Sequence, residues 1–176
     1  MRGHPRRVDE AAVGLPTIRV RTRISAYVYG NILVLTAIAT CTPHMVDTGW
    51  AAAAVAATTA TTYLAHVFAH LVAEQVGDEE LEELESDRDE LRDALPIMSS
   101  GAAPTLVFLI PALFDTRGTA LWTLLAASVV LVRLASMGAL VAHLNGELPS
   151  ARAHWWGIGV ATVGLAIVVL KVWIAH

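Results

Sequence analysis

Two stripes of polar and ionisable residues interrupt otherwise apolar stretches of the chain. Thr59, Thr62, Tyr63, His66, His70 and Glu74 recur every three or four residues, which puts them along one face of a helix. Arg133, Ser136, His143 and Glu147 do the same, with Leu140 between them. An ionisable side chain inside an apolar helix is expensive, so such residues face a bundle interior, a partner or a polar path. Imidazole titrates near neutrality, and His66 and His70, at i and i+4, can pass a proton along one face or both reach one metal ion. A third ligand would come from His143 or a carboxylate. A haem needs two imidazoles at equal depth, which only His70 and His143 offer. The bland alternative is that these histidines join neighbouring helices by hydrogen bonds.

Arg133 is the sharpest of these residues. It lies about 15 Å along a helix from His143, too deep to reach the interface easily. It needs backbone carbonyls together with Asn31, a partner subunit, or water and an anion. The chain has no G-x-S-x-G, no phosphate-cradling glycine loop, no H-E-x-x-H, no Cys-His pair and no carboxylates at catalytic spacing, so no catalytic residue is assigned.

The elements that position these residues follow from composition. Of 176 residues, 55% are hydrophobic and 16% charged, and a helix needs roughly 20 mostly apolar residues to cross a bilayer. Five segments qualify: 24–40, 50–73, 96–114, 119–143 and 155–174. Cys-Thr-Pro-His at 41–44, an acidic run, Asp-Thr-Arg-Gly at 115–118 and Asn-Gly-Glu-Leu-Pro at 145–149 break them. The expected fold is all-α, a five-span polytopic membrane bundle behind a basic tail at 1–23. A cleavable leader ending at Ala37-Ile38-Ala39 is the competing reading of the first segment. The one cysteine, Cys41, allows no internal disulfide.

Charge is segregated. Eleven of sixteen acidic residues lie between Glu74 and Asp93, and six of twelve basic residues between Arg2 and Arg23. Retention of positive charge on the cytoplasmic side puts the N-terminus inside a plasma membrane and the C-terminus outside. Trp155 and Trp156 would mark one interface, and Trp50 and Trp173 the other. Alternation of apolar and basic residues from Ile18 to Arg23 predicts a segment lying on anionic lipid headgroups. The short basic tail carries no nucleic-acid reader motif, so nucleic acid is not an expected partner. Leu81, Leu84, Leu91 and Leu95 form a seam within an acidic cytoplasmic helix over about 75–95, an extension of the second span or a connecting helix. Its carboxylates read as a solvated face.

Pro104 and Pro111, with Ser99, Ser100, Gly101 and Thr105, predict a kinked third span with some carbonyls freed for other partners. The second and fourth spans run parallel, so their polar stripes would face each other across a path. Ala69-His70-Leu71-Val72-Ala73-Glu74 and Ala142-His143-Leu144-Asn145-Gly146-Glu147 share A-H-L-x-x-E, which a duplicated parallel hairpin would leave.

The stretch Tyr63-Leu64-Ala65-His66-Val67-Phe68-Ala69-His70, followed by a charged linker and Leu95-Pro96-Ile97, resembles small integral membrane proteins of actinobacteria with an L-A-H-x-aromatic-x-H stretch. The resemblance covers most of the chain and implies no activity. The leading expectation is a small homo-oligomeric channel or transporter for protons or small ions, lined by His66, His70, Glu74, Arg133, His143, Glu147 and Asn31. A metal- or haem-binding redox protein using His66, His70 and His143 is the second. A membrane scaffold recruiting a partner through the acidic helix is the third.

Overall fold

The computed structural model describes residues 17–73, 87–114, 116, 118–148 and 150–175, which form helices joined by short linkers. The order is α1 (Thr17–Thr40), α2 (Pro43–Asp47), α3 (Trp50–Ala73), α4 (Asp87–Phe114), α5 (Thr119–Ala135), α6 (Met137–Leu144) and α7 (Ala151–Ala175). Five stretches are long and apolar enough to cross a membrane: Arg19–Thr40, Trp50–Ala69, Leu91–Phe114, Thr119–Leu144 and Ala151–Ile174. Glu74, Leu81, Leu84 and the rest of the acidic run up to residue 86 lie outside the described residues, as does the side chain of His70.

Two boundaries differ from expectation. α1 begins at Thr17, so the alternating Arg19, Arg21 and Arg23 belong to the first span's own helix. Helical spacing then puts Arg19 and Arg23 on one face, a turn apart, with Arg21 exposed elsewhere. α4 begins at Asp87, so the end of the acidic run extends the third span, not the second. α4 stays continuous across Pro96, Pro104 and Pro111.

α1 is the hub and packs against α3, α4, α5 and α7. The hairpin α3–α4 lies to one side and α5–α6–α7 to the other, with α4 and α5 touching. Among the described residues α3 makes no contact with α5, α6 or α7, and α4 makes none with α6. The two ends of the bundle are chemically unlike. The apolar core, including Val34 and Ile38 of α1, Val55 of α3, Phe108 of α4, Val130 of α5 and Val168 of α7, fills the half away from the start of α1, under the plug of Val46 from α2. Of the buried polar side chains, Asp93 lies at the other, amino end, Asn31, Thr59 and Ser100 near the middle, and Thr36 within the apolar half.

Short linkers set these packings. Thr42 caps α2 through its hydroxyl, which accepts from the Met45 amide, and Pro43 occupies the first turn, where its missing N–H costs nothing. At the end of α6, Gly146 takes a left-handed φ of 72°. The Glu147 amide donates to the Ala142 carbonyl and the Gly146 amide to His143, a Schellman closure. The fourth span breaks at Ser136 where α7 crosses it. A methyl at Gly138 would fall on the Ala153 carbonyl oxygen, and one at Gly157 on that of Ala135, so the two backbones touch there. Trp50, Trp155, Trp156 and Trp173 are all exposed near helix ends.

Candidate functional site

Three polar constellations occupy the amino half and the middle of the bundle. The first is built on Arg133 of α5. Its Nε donates to the Tyr27 hydroxyl at 2.8 Å, Nη1 to the Ser99 carbonyl at 2.8 Å and Nη2 to the Ser99 hydroxyl at 3.4 Å. The guanidinium carbon lies 5.0 Å from the centre of the Tyr27 ring, within cation–π range. Among the described residues the charge is thus met by a carbonyl on the proline-bearing helix and by two hydroxyls, not by a carboxylate. Pro104 removes the donor that the Ser100 carbonyl would have and loosens the turn that presents Ser99. The expected carbonyl partner is there, but Asn31 is not part of the set. Its Nδ2 donates to the Tyr27 carbonyl at 2.8 Å, and its Oδ1, fully buried, meets no donor among the described residues.

The second constellation was not anticipated. Asp93, expected on a solvated acidic face, is 2% exposed. The Nε of Arg19 reaches its Oδ2 at 2.8 Å and Nη2 reaches Oδ1 at 3.2 Å, a two-pronged pairing. Arg23, a turn further along α1, approaches Oδ1 at 3.7 Å. The available signal was the i, i+4 spacing of Arg19 and Arg23 beside an acid at the same end of another span. The apolar and basic alternation over residues 18–23 masks that spacing.

The third is a cleft of about 490 Å³ on the outside of the bundle between α1 and α3, lined by Tyr29, Thr61, Thr62, Ala65, His66 and Ala69. Tyr29 lies at the middle of its span and is 53% exposed. His66 lies towards the amino end, so the cleft runs from mid-membrane in that direction. Thr61 satisfies its hydroxyl on the Ala57 carbonyl at 2.8 Å.

The sequence-predicted site residues therefore separate. His66 faces the α1–α3 cleft. Arg133 and Asn31 sit in the α1–α4–α5 packing. His143 and Glu147 are exposed at the amino end on the α5–α6–α7 side, and α6 does not touch α3. Among the described residues the two stripes do not border a common path within one chain, because α1 and α4 stand between their helices. For the same reason His143 does not join His66, and among the described residues no three His, Cys, Asp or Glu side chains gather as metal ligands. Tyr27 and Asp93, which spacing alone did not single out, and Ser99, named only with the proline-bearing span, hold the polar contacts instead.

No protein-family model matches the chain, and neither a curated protein nor a solved structure matches it.

Proposed function

We propose that the protein is a small homo-oligomeric channel or transporter for protons or small ions, set in the plasma membrane with its N-terminus in the cytoplasm. The observation that carries this reading is the polar cleft at Tyr29, Thr61, Thr62 and His66, which opens on the lipid-facing side of the bundle. Polar side chains at that depth are costly against acyl chains and are normally met by protein or water. A second copy seated over α1 and α3 closes the cleft into a polar passage at the subunit seam. His66 is the proton-bearing group of that passage, and by sequence spacing alone His70 and Glu74 fall on the same helical face. Arg133 and Asn31 serve as internal clamps, since their contacts lie within one chain.

The test is proton flux in liposomes loaded with a pH-sensitive dye, comparing the intact protein with His66→Ala and with Arg21→Gln as a control. The intact protein and the control should dissipate an imposed gradient while His66→Ala loses most of the flux. Equal flux in all three, or none in the intact protein, overturns the reading. Ala65→Cys should also cross-link to itself in membranes, and an exclusively monomeric product counts against the seam.

A further inference from the structure

We infer that the amino half of the bundle carries a binding groove for one acyl chain of an anionic phospholipid, whose headgroup is held by Arg23. The groove, of about 250 Å³, lies between α1, α4 and α6. It exists because α4 and α6 do not touch, which leaves a strip of α1 uncovered between them. Its walls are Ile24, Tyr27, Pro96, Met137 and Leu140, and Arg23 stands at its mouth.

Lipid is the surrounding medium at this depth, so a slot lined by these side chains is filled by a tail. Tails are alike in polarity, so the slot alone selects no lipid. Selection comes from the mouth. Arg23 is 38% exposed and has one approach to Asp93 at 3.7 Å, while Arg19 already engages both oxygens of that carboxylate. Among the described residues Arg23 is thus the more exposed and the less closely held of the two guanidiniums that reach Asp93. A phosphate set on a seated tail meets its donors, which bind phosphate in charge-assisted pairs. At the inner end the groove stops at Tyr27, the ring on which Arg133 rests, so an occupied groove braces that clamp.

The experiment is thermal unfolding of the full chain in neutral detergent with added phosphatidylglycerol, phosphatidylcholine or glycerol phosphate. Phosphatidylglycerol should raise the midpoint more than phosphatidylcholine, and glycerol phosphate should not reproduce the rise. Arg23→Gln should abolish the difference between the two lipids, Leu140→Trp should lower the effect of both, and Arg21→Gln, outside the groove, should keep the intact pattern. Equal shifts by both lipids overturn the headgroup assignment, and an equal shift by glycerol phosphate overturns the tail. Loss of the preference in Arg21→Gln to the same degree as in Arg23→Gln would show diffuse surface attraction in place of a site. If Leu140→Trp does not fold, the Arg23 and Arg21 pair decides the matter.

Discussion

Arg133 and Asp93 carry opposite charges at different depths of one bundle, and each is met by a different chemistry. Asp93 lies near the amino end of α4, where two arginines of α1 can reach it. Removing its charge leaves those arginines facing each other in a part-buried setting. Asp93→Asn should destabilise the fold by about 3 kcal/mol, the low end for a broken buried pair, because the arginines can turn to headgroup phosphates. Reversible unfolding in mixed detergent would measure it, and a change near zero would strip Asp93 of any structural role. Cys41, just beyond the first span, shows another effect of burial. Desolvation pushes its thiol above the ordinary cysteine range, and its sulfur donates to the Ala37 carbonyl at 3.2 Å. A raised pKa means less thiolate at any pH near neutral, so alkylation should be slower than for a free thiol and should rise with pH over a later range. Rates of maleimide labelling between neutral and mildly alkaline pH would check this, with denatured protein as the reference.

Between residues and the whole lie the helix crossings. Gly138 and Gly157 let α6 and α7 meet backbone to backbone, whereas nothing lies within 4 Å of a methyl built at Gly159. Gly138→Ala should cost about 1–3 kcal/mol through forced separation of the helices, and Gly159→Ala should leave stability unchanged within error, both read from the same unfolding assay. This contrast also marks where sequence reading stopped. The five spans were legible because hydropathy and length alone define them, and the ends of the second and fourth fell within a few residues of the helices seen. The partner of each helix was not legible. Periodicity places His66 and His143 on faces of their own helices but does not say which helix a face meets, and α1 and α4 occupy the space between them. Arg133 was recognisable as a residue in need of a partner, and a carbonyl was among the partners expected. That Ser99 and Tyr27 supply the contacts depends on packing that no local pattern encodes. Asp93 was hidden by its neighbours, since a run of acids suggests solvent until an opposing helix is placed beside it.

At the scale of the molecule, among the described residues the two helical hairpins meet directly where α4 touches α5, and each leans on α1. A chain beginning at residue 43 should still insert, because the remaining spans keep their hydropathy. It should lose compactness, eluting broadly in detergent and yielding to protease between the hairpins, while the intact chain resists. A truncated protein as resistant as the intact one would mean that α1 is not the hub. The Arg133 clamp bears on how such a bundle is made. Synthesis is vectorial, and both acceptors of this guanidinium, Tyr27 and Ser99, precede it in the chain. Asp93 likewise emerges after Arg19 and Arg23. The Arg133 guanidinium and the Asp93 carboxylate therefore leave the ribosome when their counterparts have already been delivered to the bilayer, and the order of translation itself spares these two an interval as bare ions in oil, while Arg19 and Arg23 wait at the very start of the first span.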